Sequence, residues 1–87
     1  MALKINTTTP QGTRVEYHRA VGLHVFADDK LVRIAVKSYR DGDDRHEGEP
    51  PRHTADHDFL WGGGSIDLPS AYALLKTLPD FSGAEDC

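Results

Sequence analysis

The sequence predicts an α+β domain: an antiparallel β-meander of about four strands with one C-terminal helix packed on one face. Three observations carry that expectation. Residues 18–39 alternate apolar and polar side chains about a central Asp28-Asp29 pair, the pattern of a hairpin with one buried face. Thr9-Pro10-Gln11-Gly12, just upstream, is turn chemistry. Near the C-terminus, Leu68, Ala71, Tyr72, Leu75 and Leu78 recur at helical spacing behind candidate caps.

The first turn places Pro10 at the second position of a type I turn and Gly12 where a left-handed bulge residue sits. That loop sets Thr7 opposite Val15, Ile5 opposite Tyr17 and Leu3 opposite Arg19. Residues 14–27 then form one long strand, bent near Ala20 or Gly22, where small residues permit a bulge. If Asp28-Asp29 centre the next turn, Val25 faces Val32, Leu23 faces Ile34 and Val21 faces Val36. His24 then lies opposite Arg33, Gly22 opposite Ala35 and His18 opposite Tyr39, on the other face. A slip of one residue would exchange the faces, so the apolar pattern specifies the pairing. Asp-Asp is a poorer centre than Asp-Gly for a primed turn, which leaves room for a longer loop.

Residues 40–51 are charged, rich in Gly and Pro and without periodicity, and read as an exposed loop. Arg52 to Trp61 returns to strand character, and Gly62-Gly63-Gly64 reads as a hinge. It lacks the spacing and the Lys-Ser or Lys-Thr of a phosphate loop. Asp67 or Ser65 is the candidate N-cap of the helix, Pro69 falls in its first turn and Pro79 ends it. The helix needs an apolar surface, and Val15, Val21, Leu23, Val25, Val32, Ile34 and Val36 supply one. Residues 82–87 read as a tail.

Eighty-seven residues make one domain, 1–87, and a domain of this size buries only about 60–65% of its unfolded surface. Small domains commonly add a disulfide, a metal or a partner. One cysteine excludes an intrachain disulfide. Cys87 is the last residue, a poor place for a positioned thiolate. Fourteen Asp and Glu against ten Lys and Arg weigh against nucleic acid as a partner, because counterion release needs a clustered basic face. Arg14, Arg19, Arg33, Lys37 and Arg40 are close in sequence, but Glu16 and Asp28 are interspersed. No segment has the apolar length of a signal peptide or membrane span, so the expectation is a protein intracellular when made, with no membrane partner.

His53-Thr54-Ala55-Asp56-His57-Asp58 is the densest run of metal-ligating side chains. On a strand, His53 and His57 share a face but stand about 13 Å apart, too far to share one zinc. On a helix the spacing would serve, but Thr54 looks like an N-cap and the adjacent glutamate of metalloprotease motifs is missing. His18, His24 or His46 could complete a site from elsewhere. The solvated strand is the favoured reading, and a small metal-binding module using His53, His57, Asp56 and Asp58, with hydrolysis as its candidate activity, is the alternative.

Three stretches carry a resemblance: Tyr17-His18, the Ser38-Tyr39 end of the third strand, and YALLKTLPDFSGAEDC at residues 72–87. From Thr9 onward the chain resembles small uncharacterised proteins encoded in the tail regions of tailed bacteriophages and prophages. It departs from their pattern after Tyr39, where a more alanine-rich, helix-like segment is replaced by DGDDRHEGE. The resemblance implies a non-enzymatic structural protein of tail assembly or of the virion, made in the bacterial host cytoplasm. It carries over neither catalytic residues nor cofactors. Its partners would be copies of itself, as a homo-oligomer, and other tail proteins. The candidate partner surface is the second sheet face, with His18, His24, Arg33, Lys37 and Tyr39, joined by Trp61, since aromatics anchor interfaces. An inhibitor of a host protein is a third possibility.

Overall fold

The computed structural model describes residues 2–42, 48, 50–62 and 64–86. Among them, five strands form one antiparallel sheet in the order β4-β3-β2-β1-β5. They are β1 (Leu3–Thr8), β2 (Arg14–Phe26), β3 (Leu31–Tyr39), β4 (His53–Leu60) and β5 (Glu85–Asp86). Helix α1 (Leu68–Leu75) and a 3₁₀ turn (Pro79–Phe81) lie between β4 and β5 in the chain. The expected α+β meander with a helix on one face is what forms. The difference is β5: the segment read as a tail ends in a short strand that returns to β1, pairing Asp86 with Leu3 and Glu85 with Lys4. Cys87, His46 and most of the charged loop lie outside the described residues.

Both turns use the chemistry the sequence offers. The Thr9 N–H donates to the Thr13 carbonyl and the Gly12 N–H to the Thr9 carbonyl, each at 2.8 Å. Gly12 takes a φ of 87°, the left-handed conformation a Cβ would strain. Thr7 accordingly faces Val15. The second turn is longer than two residues: Phe26 pairs with Leu31, leaving Ala27 to Lys30 as the loop, and Lys30 sits at φ 52°.

The register of β2 on β3 follows the apolar pattern only as far as Gly22. Val25 faces Val32 and Leu23 faces Ile34, but Val36 faces Ala20, and Val21 is left without a partner. This bulge turns Val21 outward, where it is 43% exposed. From Ala20 back to Tyr17 every side chain of β2 changes face relative to an unbroken ladder. His18 therefore pairs with Ser38 and enters the core, whereas Tyr17, not His18, meets Tyr39. A second irregularity sets Ile5 and Asn6 against Glu16, so that Leu3 faces His18 and Lys4 faces Tyr17, replacing the expected Leu3–Arg19 and Ile5–Tyr17 pairs.

Helix α1 starts at the expected cap. The Asp67 carboxylate accepts from the Ser70 N–H at 2.9 Å, and hydrogen bonding to the Ser70 side chain, then to this N–H, holds its pKa below the usual range. Ala71, Tyr72 and Leu75 are buried against Leu3, Ala20, Val32, Ile34 and Val36, with Phe81 of the 3₁₀ turn completing the cluster. Burial of a side chain such as Leu75 contributes about 1.5–3 kcal/mol. The helix ends at Leu75 rather than at Pro79, which instead opens the 3₁₀ turn. Beside the bulge, the Ala20 N–H donates across the core to the Tyr72 hydroxyl at 2.9 Å. Val36 opposite turns its N–H and C=O toward β4, so the Ala20 N–H faces the β1 side beyond the start of β1 at Leu3, and the tyrosine takes up the donor.

Candidate functional site

Two surfaces hold the chemistry of this molecule: the part of the core face that α1 leaves open, and the face of the sheet turned away from it. The first exists because of length. Eight helical residues span about 12 Å, against about 43 Å for the thirteen residues of β2. Where the helix stops short, a cleft of about 230 Å³ remains. Val15, Val36 and Ala55 contribute apolar surface to it, and His18, His53, His57 and Asp80 contribute polar groups.

His18 is 2% exposed and fully engaged. Its Nε2–H donates to the Ile5 carbonyl at 2.9 Å, because a carbonyl can only accept. Its Nδ1 accepts from the Ser38 hydroxyl at 2.8 Å. Burial pushes its pKa down, against smaller opposing effects from the Ile5 hydrogen bond and Asp80. This side chain is a neutral core histidine, which corrects its assignment to the outer surface. The phenyl ring of Phe81 lies edge-on to His18, with centroids 4.9 Å apart, and edge-on to His57 at 5.8 Å. Burial also lowers the pKa of His57, partly offset by Asp80 and Asp56.

On β4 the strict alternation of burial puts His53, Ala55, His57 and Phe59 toward the helix side and Thr54, Asp56, Asp58 and Leu60 outward. His53 and His57 thus share a face at strand spacing, about 13 Å apart, while Asp56 and Asp58 point the other way. Among the described residues no three His, Cys, Asp or Glu side chains converge as a metal would require. The metal-binding alternative has no donor set there, for the geometric reason that a strand separates what a helix would have gathered.

The outer face is organised in rows that cross three strands. Phe26, Leu31 and Leu60 form an apolar row in register, and Leu60 is 89% exposed. His24, Arg33 and Asp58 form the next row. Arg33 grips Asp58 through Nε at 2.8 Å and Nη2 at 3.2 Å, a bidentate pair. The hydrogen bond raises the pKa of Arg33 and lowers that of Asp58. The guanidinium also lies 5.1 Å from the centroid of Phe26, on which His24 stacks at 4.3 Å. Gly22 and Ala35 make the following row low; a Cβ on Gly22 would approach that of Ala35 to 3.4 Å.

The remaining partner-surface candidates are placed differently. Lys37 is half-buried opposite Arg19 and Thr54. Tyr39 is 8% exposed, edge-on to Tyr17 at 6.1 Å, and offers little surface. Trp61 packs half-buried against the core cluster, and its buried Nε1 has no hydrogen-bond partner among the described residues. Three residues of this face, Phe26, Leu31 and Leu60, are not among the candidates the sequence marks. The first two follow from extending the hairpin register by one pair, but Leu60 needs the β3–β4 register, which no turn motif announces.

No helix among the described residues is long and apolar enough to cross a membrane. In comparisons with known proteins, no family model matches the chain, and no curated protein or solved structure shows significant similarity to it.

Proposed function

We propose that this chain is a non-enzymatic assembly protein of a phage or prophage tail that works through protein–protein contacts, its outer sheet face meeting other copies of itself. The observation that carries the contact reading is the apolar row Phe26, Leu31 and Leu60, with Leu60 89% exposed, flanked by the pre-ordered His24, Phe26, Arg33 and Asp58 group. Rigid aromatic and arginine side chains beside exposed aliphatic surface are the usual composition of interface centres. The tail setting is supported by the resemblance of Tyr17-His18, Ser38-Tyr39 and residues 72–87 to proteins of tail regions. Against catalysis stands the use of His18: the most buried imidazole among the described residues spends both ring nitrogens on structural hydrogen bonds.

Native mass spectrometry of the protein and of Leu60→Asp tests this reading. The expected result is a defined oligomer that Leu60→Asp dissociates while leaving the thermal transition in place. A wild-type protein that stays monomeric at concentrations around 100 μM, or an oligomer indifferent to Leu60→Asp, would overturn the assignment of this face.

A further inference from the structure

The two edges of the sheet are unequal. The β5 edge is two residues long, and Asp86 is tied to Lys76 at 2.8 Å. Short and charged is how natural sheets close an edge. The β4 edge is eight residues long, pairs with β3 through eight consecutive residues without a bulge, and faces no other strand among the described residues. The Trp61 N–H donates to Lys30 at 2.9 Å. Alternation along an antiparallel ladder then turns the N–H and C=O groups of Thr54, Asp56, Asp58 and Leu60 toward the open side. The edge is regular, accessible and equipped to pair.

A second copy is a poor occupant. In a two-fold antiparallel pairing of β4 with itself, the registers that use most of the strand set Asp56 against Asp58 or Asp56 against Asp56. Like charges directly opposite one another destabilise a sheet. The same carboxylates suit a strand with basic side chains at alternate positions. Asp58 is already engaged by Arg33, which leaves exposed Asp56 as the principal acidic contact. On the other face of an added strand, the position opposite Ala55 would look over the cleft. At about 230 Å³ this lies below the ~300–1,000 Å³ of small-molecule sites and has room for one aliphatic side chain.

We propose that β4 is a docking edge for an extended segment of another protein, one that alternates basic and aliphatic side chains and joins the sheet beside β4. The basic side chains lie on the outer face against Asp56, and an aliphatic one enters the cleft between His53 and His57. The inference rests on the contact reading above and adds a second mode of contact, through the main chain of the β4 edge beside the outer face, and the kind of partner that fits it. Main-chain hydrogen bonds supply attraction and alternate side chains supply selectivity, as in other cases of strand addition.

The test is titration of the ¹⁵N-labelled protein with a ten-residue peptide alternating Lys and Val. Its controls are the Glu and Val counterpart and a version N-methylated at every second residue. The expected result is new exchange protection at the amides of Thr54, Asp56, Asp58 and Leu60. Asp56→Lys and the acidic peptide should each weaken binding by about three- to tenfold, and N-methylation should abolish it. Absence of binding at millimolar peptide, binding that survives N-methylation, or protection confined to residues of β2 would overturn the proposal. Native mass spectra of the same samples separate the two ideas. An oligomer that persists without peptide binding removes the docking edge and keeps the outer-face assembly, whereas peptide binding by a monomer does the reverse.

Discussion

The two halves of β2, on either side of Val21, obey different rules. From Gly22 to Phe26 the strand follows the alternation written in its side chains, with Leu23 and Val25 opposite Ile34 and Val32. From Tyr17 to Ala20 the same alternation misassigns every residue, because one unpaired position shifts the phase. The buried residues between Tyr17 and Ala20 are a histidine and an alanine, while Val21, which looked like core, is exposed. Hydrophobic pattern specifies register only where the ladder is unbroken. At a bulge, hydrogen bonding decides: Tyr72 receives the Ala20 N–H, and His18 finds Ser38 and the Ile5 carbonyl.

The sharpest way to break this comparison is at its hydrogen bond. Tyr72→Phe leaves the buried Ala20 N–H without its acceptor and should cost about 1–3 kcal/mol, read by urea denaturation. Deleting Val21 makes the ladder continuous with every other side chain on its present face but still turns the Ala20 N–H away from β3, so the cost of Tyr72→Phe should persist in that background. A cost that vanishes in that background would show that the bulge, and not the end of β1, leaves the Ala20 N–H without a strand partner.

Acid probes the same half more gently. His18 and His57 have native pKa values below their unfolded values near 6.5, so the unfolded chain binds protons first as pH falls. Stability present above about pH 6.5 is therefore lost progressively below it, down through the native pKa values. Carboxylates with lowered pKa, such as Asp67, act only at more acidic pH. Thermal melts between pH 7 and pH 5 should show Tm falling with pH, and His57→Phe, which keeps an aromatic ring beside Phe81, should flatten the slope. An unchanged slope would leave His57 out of the linkage.

The smallest effect belongs to Val21 itself. Val21→Thr should alter stability by no more than about 0.5 kcal/mol in the same denaturation experiment, as for an ordinary surface position. The same change at Val36, 2% exposed and opposite Ala20, places a hydroxyl in the core and should cost more.

How far the fold can be read from sequence follows from these residues. The Thr9 to Gly12 turn, the Asp67 cap and the turn-side half of the hairpin are local and chemically marked. A bend near Ala20 or Gly22 is legible from their small side chains, but its effect on the faces depends on which residue goes unpaired. β5 is silent in the sequence, since Glu-Asp has weak strand preference and forms there only because the edge of β1 receives it. Of the candidate surface, His24 and Arg33 are found from the hairpin alone, and Tyr39 is placed on the correct face but is buried. The cleft depends on the mismatch between a short helix and a long strand, a difference of lengths that no single motif contains.

The pairing of Leu3 with Asp86 brings the two ends of the described chain to one side of the sheet. Tags, reporters or carrier proteins joined at either end would emerge together beside β5, with the width of the sheet between them and β4. A tandem fusion through the ends would accordingly string these domains along one rail and leave each β4 facing outward, available to be displayed in multiple copies.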